Sequence, residues 1–432
     1  MSIINNLINT SSLKKILKGG GISVVGKLIA VLLTFTFNVL VARIYSAEQL
    51  GELATLISAL DFCSLIIIFG TDTLTLKLLP IFNKKEEINN YFEKINSSVI
   101  SISLIIITIF IALNIYYDFA SRSILIFILI SVILYPFHNL LKFILRALHK
   151  ELKFFIAQIS NQSLLVLSLC FIYFFGFKLD IIIVYILALA FSFLLNVFIN
   201  IKTFHFRAKK LKIKEYKELY AESFPFFLTA STGIIISKSD ILILNLFTTQ
   251  EQIGYYHISI KLGFILTIFF TSINKFIGPV FSKLYHANQI EELLNSAKKT
   301  TFIIFLLSLP PALLLLFFGE NILMLFFGKE FSNSYVPMVI IIISQIVNVF
   351  FGSVGVLLDM SGNQKFVFKA TLISAIANVV LNFILMPFYG ILGAAIATLF
   401  SVVLNNLMFT FACKNIFGES IYFKPNLFKK WN

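Results

Sequence analysis

The chain has 432 residues, of which 58% are hydrophobic and only 13% charged, with a mean hydropathy of +0.93 and a formal net charge of +14. An apolar share this far above the usual half excludes a water-soluble globule. Three cysteines, Cys63, Cys170 and Cys413, all lie inside apolar runs, which excludes a disulfide framework.

In chain order, Met1–Lys18 is polar and ends in Lys14, Lys15 and Lys18, unlike the start of a cleaved signal peptide. Apolar runs of about 20 residues follow, each long enough to cross roughly 30 Å of hydrocarbon as a helix. Twelve such spans are expected, at 19–42, 51–79, 96–117, 123–145, 154–175, 180–201, 222–246, 254–280, 300–318, 335–358, 366–387 and 391–413. The glycines Gly19–Gly21 open the first span and suit close helix approach. Pro136, Pro225, Pro279, Pro310 and Pro311 fall in or at the ends of spans, where each frees a backbone carbonyl and permits a bend. Asn405 and Asn406 suit hydrogen bonds between helices, and Gly390–Ala397 forms a small-residue packing face.

Loop charge sets the orientation. The segments 1–18, 77–95, 142–153, 202–219, 283–299, 361–369 and 414–432 hold 27 Lys and Arg, against four in the opposite connections, Arg43, Arg122, Lys178 and Lys329. The excess puts both termini on the cytoplasmic side. It also accounts for the net charge through topology and anionic lipid, with no nucleic acid as partner.

The basic connection 202–219 separates two sets of six spans, residues 1–218 and 219–432. The halves echo each other. Ile44–Leu53, IYSAEQLGEL, aligns with Phe247–Tyr256, FTTQEQIGYY, at an offset of 203, sharing Glu-Gln-Leu/Ile-Gly. Phe175-Gly176 matches Tyr389-Gly390 at an offset of 214. Repeats running in one direction with six spans each predict an all-α, twelve-helix membrane protein of two lobes. A pseudo-two-fold axis along the membrane normal would relate them.

Charges inside the spans are the candidate functional residues. A charge near mid-membrane costs at least about 2.5–3.5 kcal/mol, so it is expected to face a polar cavity or an ion pair. Lys238 lies about 12 Å below the end of its span at 1.5 Å per residue, and Lys261 at similar depth in the next. Asp61 and Lys27 are also deep, while Lys275, Asp359 and Asp72 lie nearer an interface. Lys238 and Asp240 stand about 200° apart on a helix, so each needs another partner. The five histidines show no metal-ligand spacing, no phosphate loop is present, and no catalytic constellation, metal site or cofactor is expected. The outer connections are short, which favours transport over catalysis.

Val41–Leu56, Glu222–Leu228 (ESFPFFL), Lys238–Leu244 (KSDILIL), Glu251–Leu262 (EQIGYYHISIKL) and Tyr389–Ser401 (YGILGAAIATLFS), in this order and frame, resemble the polysaccharide and O-antigen flippases. These belong to the multidrug/oligosaccharidyl-lipid/polysaccharide exporter superfamily. The resemblance covers the whole chain. It implies a non-enzymatic transporter of the bacterial inner membrane. Its cargo would be undecaprenyl-pyrophosphate-linked oligosaccharide, moved to the outer leaflet by alternating access. The implied partners are that cargo, membrane lipids, a coupling H⁺ or Na⁺, and the polymerase of the same pathway. For such a cargo, Lys27, Arg43, Lys238 and Lys261 become candidate ligands of the anion, and Asp61 and Asp240 candidate ion-coupling sites. Three other readings stand beside this one. They are a cation-coupled drug antiporter, which needs a cavity dominated by carboxylates, a peptidoglycan-precursor flippase, whose relatives usually carry two further spans, and a membrane polymerase.

The orientation is testable. Cysteines introduced at Ser121 and Thr249 are expected to react with an impermeant thiol reagent applied from outside, and those at Ala208 and Asn288 are not. The reverse pattern would overturn the topology.

Overall fold

The computed structural model describes residues 11–82, 84–117, 121–201, 207–209 and 211–423, with side chains described at Gly26 and from Ile29 onward except at Lys85 and Arg122. The described chain is helical and without strands. In order the helices are α1 (Ser11–Ile44), α2 (Ala47–Ile68), α3 (Thr71–Leu78), α4 (Lys85–Tyr117), α5 (Arg122–Ala147), α6 (Glu151–Phe175) and α7 (Ile181–Asn200). Then follow α8 (Ile213–Leu244), α9 (Gln250–Gly263), α10 (Thr267–His286), α11 (Ile290–Phe326), α12 (Tyr335–Phe351), α13 (Val354–Met360) and α14 (Gln364–Phe417). A single 3₁₀ turn, Phe264–Leu266, joins α9 to α10, so the two make one crossing.

Ten segments among the described residues are long and apolar enough to cross a membrane, and Ile29–Ile44 adds a shorter one. The longest, α14, has 54 residues and would extend about 80 Å if straight. It is not straight. Gly390 has φ 51° and ψ −127°, a conformation open to glycine, and a Cβ built on Gly393 would lie 2.7 Å from the Leu385 carbonyl. Asn378 bonds Ser401, 23 residues on (3.4 Å). The chain therefore reverses at Gly390 and α14 is two antiparallel crossings. Its sequence partner Gly176 likewise ends α6 with φ 69°. The protein is multi-pass, and with α14 counted twice the described residues make the twelve crossings expected.

Helix bounds depart from the apolar runs where polar ends continue the helix. The span expected at 300–318 sits within α11, whose 37 residues begin at Ile290. The span expected at 51–79 is broken instead, because Phe69 and Gly70 both take positive φ and separate α2 from the eight-residue α3.

Two compact units divide the chain, Met1–Tyr45 with Leu56–Ile234, and Ser46–Thr55 with Ile235–Asn432. Helices α2 and α8 are each divided between them. In the first unit α5 packs on α7 and α6 on both α7 and α1. Phe127, Ile128, Val132, Leu140, Leu141, Ile144 and Leu145 form a buried stripe on α5 at helical spacing. In a bilayer such contacts gain from dispersion and close fit rather than from excluding water. The basic connection lies on α4. Asn96 donates to the Arg207 carbonyl (3.0 Å), Ser97 to that of Lys209 (2.7 Å), and Lys209 pairs with Glu215 (3.3 Å). At the other end, the Tyr45 hydroxyl donates to the Leu179 carbonyl (2.8 Å). Burial first, and then the Asp180 charge, push its pKa up.

In the second unit α12 lies against α14 and α11, and a core of Phe281, Leu293, Leu357, Phe409 and Cys413 joins α10, α11, α13 and α14. The buried Ile421 belongs to this core too, and Phe423 N–H donates to the Phe350 carbonyl (2.9 Å), so the chain folds back after α14. Asn406 reaches across from α14 to Asn348 on α12 (3.1 Å), the interhelical bond expected of it. Gly393, Ala394, Ala395 and Ala397 are buried, as expected of a packing face.

Candidate functional site

In each unit an aspartate deep within the helices accepts a tyrosine hydroxyl. In the first unit α2 carries Asp61 and α5 carries Tyr135, which donates to Asp61 Oδ1 at 2.6 Å. Asn139 and Lys142 follow Tyr135 by one and two turns on the same face of α5. Asn139 hydrogen-bonds Tyr135, and Lys142 lies within the electrostatic reach of Asp61. From α7 comes Tyr185, only 3% exposed, which also feels Asp61 and bonds Asn161 of α6. Four helices thus converge on one acidic group. Next to it lies a neutral cluster: His138, 2% exposed, has Asn196 at 2.8 Å from Nδ1, and Ser192 joins Ser160.

In the second unit Asp240, on α8, is buried, and Tyr256 of α9 donates to its Oδ2 at 2.8 Å. Its own helix supplies the Ile241 N–H to Oδ1 (2.9 Å). Tyr256 in turn bonds Thr398 on the second arm of α14. From there polar contacts continue: Ser401 donates to the Thr398 carbonyl (2.9 Å), Asn378 donates to Ser401, and Asn382 to Asn378 (3.1 Å). This path offers carboxylate, hydroxyl, amide and backbone oxygens, the hard donors that suit a small cation. Among the described residues no three His, Cys, Asp or Glu side chains converge as metal ligands.

A basic group lies near Asp240. Lys238 is half-buried on α8 and Lys261 is exposed on α9. His257 stands one turn before Lys261 on the same face of α9, and both lysines act on it electrostatically. Lys238 acts on Asp240 as well, so the two residues of α8 communicate although their side chains diverge.

Of the expected site residues, the structure brings Lys238, Lys261 and Asp240 together in the second unit. Asp61 is in the first. Arg43 is exposed at the end of α1. Lys27 falls on α1 outside the described side chains. Lys275 is exposed on α10 and Asp359 half-buried on α13, where burial pushes its pKa up. The sequence reading passed over His257, Lys142 and the two tyrosines. In the sequence Lys142 counts toward a cytoplasmic connection, because it lies five residues from the end of α5, and only the fold brings it within reach of Asp61.

Comparison with known proteins gives a consistent picture. The model of the family described as polysaccharide biosynthesis protein matches residues 16–285, and that of the family MatE matches residues 225–384. The probable low-salt glycan biosynthesis flippase Agl15 of Haloferax volcanii is 26% identical over 200 residues, 46% of this chain. The chain spans 42% of the length of that relative. The capsular polysaccharide biosynthesis protein CapF of Staphylococcus aureus is 24% identical over 413 residues, covering 91% of this chain and 98% of its own. Among solved structures, the lipid II flippase MurJ in an inward closed conformation superposes with a TM-score of 0.73 at 17% identity, over 90% of this chain and 87% of its own. An inward-facing multidrug resistance MATE transporter superposes at 0.67 and 14% identity, over 93% and 96%. These structural likenesses are of fold.

The tyrosine–aspartate pair makes a measurable prediction. Tyr256→Phe leaves a buried carboxylate oxygen without its donor and is expected to cost about 1–3 kcal/mol of stability. A thermal melt in detergent reads it, and in an Asp240→Asn background the same change is expected to cost distinctly less. Equal losses in both backgrounds would show that the pair is not coupled.

Proposed function

Since the chain belongs to the polysaccharide biosynthesis protein family, we propose that it is a flippase for lipid-linked oligosaccharide, working by alternating access. On this reading the cargo is an undecaprenyl-pyrophosphate-linked repeat unit of O-antigen or a related surface polysaccharide. It leaves the cytoplasmic leaflet of a bacterial inner membrane for the outer one, where the polymerase of the pathway takes it up. The protein is then a transporter and not an enzyme. The names of Agl15 and CapF support the substrate class.

The observation that carries the reading is the convergence of Lys238 and Lys261 on His257 in membrane-spanning helices. Two like charges this deep repel each other unless an anion or a counter-ion lies with them. Asp240 supplies one negative charge beside Lys238, which leaves the group net basic and suited to a pyrophosphate. The polyprenyl tail needs no such site, because it remains in the bilayer. Lys27 and Arg43 are proposed anion ligands within the first unit. His257, on which both lysines act, adds a hydrogen-bonding group.

An inside-negative potential favours outward movement of an anion by about 2.3 kcal/mol per charge per 100 mV. Inward H⁺ or Na⁺ would add to this drive, with Asp61 or Asp240 as the coupling site. The oxygen-rich path from Asp240 through Tyr256 and Thr398 favours the second of these. A cation-coupled multidrug antiporter is the competing reading, supported by the MatE match over residues 225–384. It calls for a carboxylate-dominated cavity, whereas the second unit sets two lysines against one aspartate.

Lys238→Ala and Lys261→Ala are each expected to abolish surface glycan in cells while the protein inserts at normal levels, and Arg at either position to restore part of it. Normal glycan export by Lys→Gln variants at both positions would overturn the basic-site mechanism. Deleting the gene is expected to strand repeat units on the inner leaflet. Their arrival on the outer leaflet without polymerisation would make the protein a polymerase.

A further inference from the structure

The repeated motif meets its own copy. A Cβ built on Gly51 would lie 1.8 Å from the Gln250 carbonyl oxygen, and one built on Gly254 would lie 2.0 Å from that of Ala47. Gly51 and Gly254 are 203 residues apart, and so are Ala47 and Gln250. The contact is therefore self-complementary: each repeat's glycine seats on the carbonyl that begins the same turn in the other repeat, as in an isologous interface. Hydrogen stands where each Cβ would be and points at the oxygen, the arrangement of weak Cα–H···O bonds at close helix crossings.

We propose that these two turns, Ala47–Gly51 and Gln250–Gly254, form the outward gate of the transporter, seen closed, and that the two glycines are what lets it close. The proposal rests on the alternating-access reading and adds the gate to it.

Three observations carry it. Ser46–Thr55 packs with the second unit while the remainder of α2 packs with the first. A rearrangement of one unit against the other must then bend α2 or undock this turn. Second, the contact is made for release. It is backbone against backbone, with Leu50, Leu53 and Ile253 buried beside it, and Thr55 donates to the Gln250 side chain (3.2 Å). Third, its position suits a gate. Gln250–Gly254 is the first turn of α9, and Tyr256, His257 and Lys261 follow within about 10 Å along the same helix. A closed contact here shuts the basic group off from the end of the bundle with short connections.

The carbonyls are main chain and cannot swing aside for a methyl group, so either glycine's replacement must part the turns. Alanine is otherwise the better helix former, so the effect would come from the contact and not from the helix. The test uses the full-length protein in membranes, with Lys261→Cys as reporter and the three native cysteines replaced. Labelling by an impermeant thiol reagent from outside is expected to rise several-fold in the order glycine, alanine, valine at position 51 or 254. Unchanged labelling in Gly51→Val and Gly254→Val proteins that remain monodisperse would overturn the gate. If those variants do not fold, Glu48→Cys with Glu251→Cys, exposed and again 203 residues apart, replaces them. A reducible crosslink across that pair is expected to stop glycan export until it is reduced, and export unaffected by the crosslink would overturn the proposal. The labelling needs no cargo, so its failure removes the gate and leaves the flippase reading to its own assay.

Discussion

A carboxylate among membrane-spanning helices has no bulk water to solvate it, and in this protein Asp61 and Asp240 each meet a tyrosine hydroxyl. Asp61 accepts from Tyr135 and Asp240 from Tyr256, each across two helices. Much else in the fold serves this requirement. Tyr185, Asn161 and Lys142 close around Asp61, and the α14 hairpin brings Thr398, Asn378 and Asn382 toward Tyr256. The backbone obeys the same constraint through helices, because lipid offers N–H and C=O groups no partners. Where the backbone leaves the helix, at Gly70, Gly176 or Gly390, a glycine makes the turn.

The requirement explains how one chain combines cohesion with a polar interior. Dispersion and small residues hold the helices together, as in the stripe on α5 and the alanines after Gly393. Such contacts have many near-equivalent arrangements. The aspartate pairs have few, since a misplaced partner leaves a charge unsolvated, and so they fix which helices meet. The basic group differs in burial: Lys261 is exposed and Lys238 half-buried. On the proposed reading, a carrier for an anion would need such a division between charges that hold the structure and charges that face the cargo.

Much of this was legible in the sequence. Hydropathy marked the crossings, because a length of apolar chain is a local property. The Glu-Gln-Leu/Ile-Gly echo marked the repeat, and Tyr389-Gly390 the reversal of α14. Lys238, Lys261, Asp61 and Asp240 stood out because a charge in an apolar run is conspicuous. Tyr135, Tyr256 and His257 did not, since tyrosine is counted with the hydrophobic residues and a lone histidine has no pattern. Lys142 was hidden for a different reason: it sits near a helix end, where basic residues usually mark topology. Which side chain faces which is set by tertiary packing, and no local pattern encodes it.

The central claim is that this protein moves a lipid-linked saccharide across a bilayer by means of a basic group within its helices. The most direct test is reconstitution. Purified protein would be placed in liposomes containing an undecaprenyl-pyrophosphate-linked oligosaccharide in both leaflets, and a glycosidase added outside. With protein, nearly all of the saccharide is expected to become cleavable within the assay, against about half in protein-free liposomes, and the Lys238→Ala/Lys261→Ala double variant is expected to match the protein-free control. Cleavage that stops at half with the wild-type protein, under an imposed potential and with gradients of H⁺ and Na⁺, would contradict the account.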